Sequence, residues 1–175
     1  MENAGKEFEK DFKKSVPIQA YYNRIKDSTN AWSNTNNDSR IRFTPSNPYD
    51  AYIFYSPLFF ALELKSTKGT SFSFDSRTPM IKFNQIKGLR EASQFNKVIA
   101  GFVFNFRNVG RTYFLNIVDF EKFTSSTDKK SINEMDIIKN KGLLIESRTL
   151  QIRTKYDIGK FIEHFLEKSD ITNEA

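Results

Sequence analysis

Cysteine is absent from the 175 residues, and histidine occurs once, as His164. Without cysteine there is no disulfide, no thiolate zinc site and no cysteine nucleophile. A single histidine excludes a multi-histidine metal centre and a conventional Ser-His pair; beside Ile162 and Phe165 it reads as structural. Any metal chemistry must therefore use oxygen ligands, which suits Mg²⁺, Mn²⁺ or Ca²⁺. With only seven Gly and five Pro, a collagen-like or proline-rich scaffold is excluded. No apolar run approaches the roughly 18 residues of a membrane span. The N-terminus is charged and lacks the apolar stretch of a secretion signal, so the chain reads as cytoplasmic with no membrane partner.

What the chain has instead is aromatic weight. Eighteen Phe, seven Tyr and one Trp amount to 15% of residues, a load that favours sheet. Apolar residues at 38% and charged residues at 27% suffice for one buried core, and 20.4 kDa is the size of one domain, spanning 1–175. The net charge is +6 with a pI near 9.4. Through Arg90 there are 14 basic and 9 acidic residues, and from Glu91 onward 13 and 12. The basic excess thus sits in the first half, where nucleic acid is the leading partner and a solvated basic face the plainer account.

Phe8, Phe12 and Val16 recur at spacing four with charges between them, which predicts an amphipathic helix over 5–16 stopped by Pro17. Residues 27–46 are rich in Asn, Ser and Thr and read as a protruding arm. Strand-like runs at 49–55 and 58–65 flank Ser56-Pro57, and a helix is expected between Pro79 and about 96. Alternating runs at 98–106 and 111–118 predict a hairpin about Asn108-Val109-Gly110. Ser131 and Glu134 form a capping-box pattern for a helix ending at Gly142. A last helix is expected over 156–168, followed by a disordered tail at 170–175. This order describes an α/β (α+β) domain with a mixed central sheet flanked by helices.

The chemistry concentrates in Pro48-Tyr49-Asp50 and Glu63-Leu64-Lys65. If the two runs pair about Ser56-Pro57 with Tyr55 opposite Leu58, Asp50 falls opposite Glu63. Opposed residues share a face with Cβ atoms about 4.5–5.5 Å apart, and Lys65 projects from that face too. A bulge in this poor turn would shift the pairing by one. Two carboxylates so close repel each other, unless a divalent cation reverses the sign of that energy. Carboxylates, metal and lysine together suffice for phosphodiester hydrolysis without His or Cys. The plainer account is a solvated Glu/Lys pair, but Phe59, Phe60, Ala61, Leu62 and Leu64 make the strand look central, where lone charges are expensive.

These residues match the PD-(D/E)xK nuclease pattern. Over a longer stretch, Glu63-Leu-Lys65-Ser-Thr67-Lys-Gly-Thr70-Ser71-Phe72 and Ile81-Lys-Phe83-Asn-Gln85-Ile resemble the core of the RecU family of Holliday junction resolvases. Gly5-Lys-Glu-Phe-Glu9 is similar to that family's opening, and Gly101-Phe-Val-Phe, Tyr113-Phe-Leu and Lys130-Ser131-Ile132 fit further on. The resemblance implies a homodimeric endodeoxyribonuclease of bacteria or phages, dependent on Mg²⁺ or Mn²⁺, that nicks opposed strands of a four-way DNA junction. It implies metal ligation by Asp50, Glu63 and Glu9, a catalytic Lys65 and support from Gln85; Asn84 stands where the family often has His. The family's stalk would correspond to 27–46. Without the resemblance, Glu9 and Gln85 read as exposed helical residues.

For DNA contact, Thr67, Lys68, Thr70 and Ser71 follow the catalytic strand and could donate to phosphates, and a plain polar loop accounts for them equally. Arg24, Lys26, Arg40 and Arg42 flank the arm, and Trp32 within it could stack on a base. Two other classes stay open: another PD-(D/E)xK endonuclease of repair or restriction type, and a non-catalytic junction-binding protein. Intact Asp50, Glu63 and Lys65 argue against the latter.

Overall fold

The computed structural model describes residues 4–25 and 47–171. The proposed arm, with Lys26, Trp32, Arg40 and Arg42, lies outside the described residues, as do 172–175. The described chain is the expected mixed α/β domain.

A six-stranded sheet forms the middle layer, in the order β1-β2-β3-β5-β6-β8. Its strands are β1 (Tyr21–Arg24), β2 (Ala51–Tyr55), β3 (Leu58–Thr67), β5 (Val98–Phe106), β6 (Arg111–Asn116) and β8 (Leu143–Ile145). β3 and β5 run parallel, while the other neighbours are antiparallel. These central strands are almost wholly buried, which explains their near-continuous apolar sequence.

Alternation along β3 sorts its side chains. Phe60, Leu62 and Leu64 face one way and pack on Phe8 and Phe12 of α1 (Ala4–Ser15) and on Ile158, Phe161 and Ile162 of α5 (Ile158–Ile171). Ala61 faces the other way, in the cluster that holds Leu89 of α2 (Phe83–Ala92), Phe120 of α3 (Ile117–Ser125) and Ile137 of α4 (Glu134–Lys139). Helices thus cover both faces. Two short ribbons complete the fold, β4 (Ser71–Ser73) with β7 (Ser131–Asn133), and β9 (Ser147–Thr149) with β10 (Thr154–Tyr156).

Several boundaries differ from expectation. The run at 111–118 stops being strand at Asn116, whose side chain accepts from Val118 N at 2.9 Å and starts α3. The capping box is Asn133 with Asp136 rather than Ser131 with Glu134, because Ile132 is buried as a strand residue opposite Phe72. That helix ends at Lys139. The helix after Pro79 ends at Ala92, and the last helix begins at Ile158 because Tyr156 belongs to β10. It runs to Ile171, into the expected tail. The β5–β6 turn is as expected, with Gly110 at φ +64°. Among the described residues no helix is long and apolar enough to cross a membrane.

Candidate active site

The β2–β3 ladder runs without a bulge from Tyr55 opposite Leu58 to Ala51 opposite Leu62. Asp50 continues it, its N–H donating to Leu62 O at 3.2 Å, so the inferred register holds and Asp50 meets Glu63. The backbone then fixes the first carboxylate: Asp50 Oδ2 accepts from Leu64 N at 2.8 Å.

Glu63 is 1% exposed on a central strand. Its Oε1 accepts from Lys65 Nζ at 3.0 Å and from Gln85 Nε2. Gln85 is aimed by its own helix, since its Oε1 accepts from Lys82 N at 2.9 Å in the first turn of α2. With the oxygen held there, the amide donors must face Glu63. Burial, and then the charge of Asp50, push the Glu63 carboxyl up to about 8, with Lys65 opposing. Among the described residues no N–H donor takes Asp50 Oδ1 or Glu63 Oε2, and the two carboxyls are within hydrogen-bond reach of each other, where a proton or a cation fits between them.

α2 reaches this site because residue 88 is glycine. A Cβ there would stand 2.6 Å from Pro48 Cβ and 2.7 Å from Pro48 Cα. Helix α2, which carries Gln85, can therefore lie directly on the Pro48–Asp50 segment.

Glu9 is placed differently. Its Oε2 pairs with Arg24 Nε at 2.8 Å, and among the described residues no group of three acidic or histidine side chains is gathered as a cation cage. Arg24 is thus on β1 as the partner of Glu9. Tyr22, which the sequence reading passed over, links the two regions. Burial and then the charge of Glu9 push its phenol up to about 12; Arg24 opposes, and Asp50 adds a smaller push. Its buried hydroxyl has no hydrogen-bond partner among the described residues. Thr67, Lys68, Thr70 and Ser71 lie at the far end of β3 and the start of β4, two residues or more beyond Lys65. There Thr67 Oγ1 accepts from Gly69 N at 2.9 Å, while Lys68 and Thr70 are exposed. Asn84 and Gln85 are half-buried at the start of α2, and His164 on α5 packs edge-on to Phe165.

No family model matches the chain. It is 33% identical over 179 residues to the SPbeta prophage-derived uncharacterized protein YotM of Bacillus subtilis (strain 168), covering 95% of this chain and 88% of that one. The chain belongs to the YotM family. Among solved structures, this YotM-family chain is similar to the Holliday junction resolvase Hjc of Archaeoglobus fulgidus, with a TM-score of 0.45 and 13% identity over 72% of this chain and 83% of that one.

Proposed function

We propose that the protein is a divalent-metal-dependent endodeoxyribonuclease that acts on branched DNA, nicking opposed strands of a four-way junction as a homodimer inside the cell. The observation that carries this reading is Glu63, a carboxylate 1% exposed, held against Asp50 and bonded to Lys65 and Gln85. A buried carboxylate beside a half-buried one is unfavourable unless a cation or a proton intervenes. The donor set is all oxygen, supplied by the two carboxylates, which fits Mg²⁺ or Mn²⁺. Such an ion would neutralise the pair and act as a Lewis acid toward a phosphodiester oxygen.

The chain's own groups supply the rest. Gln85 and Lys65 hold Oε1 of Glu63 and so fix its carboxyl beside Asp50. Lys65 Nζ lies beside Glu63, from where it can donate to a phosphate oxygen or orient an attacking water. Glu9 is our candidate for a third ligand; it would have to exchange Arg24 for the ion. Arg24, Lys68, Thr67, Thr70 and Ser71 are candidate phosphate contacts, with Lys26, Arg40 and Arg42 about the arm, and Trp32 is the candidate for stacking on a base. The RecU-like motifs supply the branched substrate and the dimer.

The test is cleavage of an immobile four-way junction beside a linear duplex of the same arm sequence, with Mg²⁺, with Mn²⁺ and with EDTA. Paired nicks in the junction alone, and only with metal, are expected. Equal cutting of both substrates would turn the reading to a repair or restriction type of nuclease. No cutting with either metal would sink it.

A further inference from the structure

Some of the described cations sit beside an acid. Arg24, Arg90, Arg111, Lys129, Lys130 and Lys160 each form an ion pair. On the β9–β10 hairpin cation faces cation. Arg148 and Lys155 stand directly opposite each other on its ladder. Like charges so placed destabilise a strand pair. Neither they nor Arg153 nor Lys14 has an ion pair among the described residues. Lys14, Arg148 and Lys155 line one cleft of about 540 Å³. The two acids of that cleft are occupied: Glu146 Oε1 takes Lys160 Nζ at 2.7 Å, and Asp157 Oδ1 accepts from Lys160 N at 3.0 Å.

The hairpin is rigidly mounted. Asp11 Oδ2 accepts from Thr154 N at 2.8 Å and Ser15 Oγ from Tyr156 N at 3.0 Å, so α1 holds the whole of β10. Buried Tyr156 packs edge-on to Phe8 with ring centroids 5.6 Å apart. At the other end Leu150 N donates to Arg153 O at 2.7 Å, closing a turn whose Ile152 is 94% exposed. An exposed apolar tip thus closes a hairpin that carries three of the four cations without an ion pair, the fourth being Lys14 at the end of α1.

We propose that this hairpin is a second DNA-contacting surface. Lys14, Arg148, Arg153 and Lys155 take backbone phosphates of a duplex arm, and Ile152 makes apolar contact within its groove. It lies on the α1 side of the sheet, with the face that carries Phe60, Leu62 and Leu64. That the DNA is branched rests on the reading above; that the surface binds DNA does not.

The experiment measures binding of the full-length protein to the same junction and duplex in EDTA, as salt is raised. For Arg148→Ala/Lys155→Ala, affinity should fall tenfold or more at low salt. The slope of log K against log salt should become shallower by about 0.9 for each phosphate left without its cation, or about 1.8 in all. Ile152→Ala should weaken binding a few-fold with the slope unchanged, because an apolar side chain releases no counterions. A folded double variant with wild-type affinity and slope would overturn the proposal. Cleavage of the same junction by the wild type separates the two readings. Cutting with an unchanged slope removes only the hairpin; a changed slope without cutting keeps the hairpin and removes the nuclease.

Discussion

The carboxylate site and the β9–β10 hairpin handle charge in opposite ways. At the site each charged group has a partner: Asp50 takes a backbone N–H, and Glu63 takes Lys65 and Gln85. On the hairpin cation faces cation, and the nearby acids are bound elsewhere. Burial accounts for the difference. An unmatched charge on a central strand costs several kcal/mol, whereas one in water costs a fraction of that. Partnered charge inside a sheet can therefore be kept for chemistry, and unpartnered charge outside it for binding a polyanion. A count of net charge by halves of the chain averages over this pattern. The second half is nearly neutral, yet it carries Arg148, Arg153 and Lys155, which have no ion pair among the described residues.

The strongest way to break the comparison is to unbalance the buried side. Asp50→Asn and Glu63→Gln should each abolish metal-dependent nicking while junction binding in EDTA stays equal or becomes tighter, since a negative charge near phosphate has gone. Nicking that survives in both variants, read on a denaturing gel, would remove the site. Lys65→Ala comes next, with an expected loss of about 10²–10⁴-fold in cleavage rate, the usual range for a proton-transfer group. Lys65→Arg should recover little, because the guanidinium holds its protons and is wider than the ammonium. A wild-type rate in Lys65→Ala would return this residue to a merely structural partner of Glu63.

The site is more legible in the sequence than the hairpin, and the reason is range. Asp50 and Glu63 come together through a two-residue turn and a period of two, both visible within sixteen residues of chain. Phe8 and Phe12 likewise announce α1 by their spacing. β1 and β10 carry no such signal. Tyr21–Arg24 is a four-residue edge strand stabilised by pairing with β2, and that is why Tyr22 and the Glu9–Arg24 pair escape a local reading. Thr154 and Tyr156 are held by Asp11 and Ser15, 143 and 141 residues earlier, so nothing in their own neighbourhood shows a strand. α3 is a different case. Asn116 is a good cap, but it follows an aromatic run whose alternation hides the change of period.

pH tests the buried charges directly. In EDTA the folded protein keeps a proton on Glu63 up to about pH 8, whereas the unfolded chain releases it near the ordinary carboxylate value of 4.5. This raised pKa favours the folded state most below the lower value, and the advantage is lost as pH rises through the higher one. Between pH 5 and 8.5 the wild type should therefore lose stability relative to Glu63→Gln, on the order of a few kcal/mol. Mg²⁺ should restore it at pH 8.5 and do little at pH 5. Parallel melting curves for the two proteins across that range, in chelator, would show that Glu63 does not carry the cost.

Gly88→Ala perturbs the site from outside. In an ordinary helix alanine would gain about 1 kcal/mol over glycine. Here the new Cβ would run into the Pro48 backbone, so α2 or the Pro48–Asp50 segment must shift. A net loss of about 1–3 kcal/mol is expected. Because Gln85 and Asp50 sit on the two displaced pieces, nicking should fall by more than the lost folded fraction explains. A variant as stable and as active as the wild type would show that the close approach is not needed.

The smallest effect has the most telling sign. If Arg148 and Lys155 oppose each other only because both bind DNA, relieving the repulsion should stabilise the protein. Arg148→Glu places an acid opposite Lys155, and cross-strand pairs of this kind contribute about 0.2–1 kcal/mol. For a chain of this size that is a rise in melting temperature of about 0.4–4 °C. The rise should shrink as salt is added, because the pair is exposed and screened. Junction affinity in EDTA should fall in the same variant. The cation of the buried site allows no such exchange, since removing Lys65 leaves Glu63 without its counter-charge and both stability and activity suffer. An Arg148→Glu protein that melts lower at low salt would mean that the hairpin's cations have structural partners after all, and the contrast between the two regions would lose its basis.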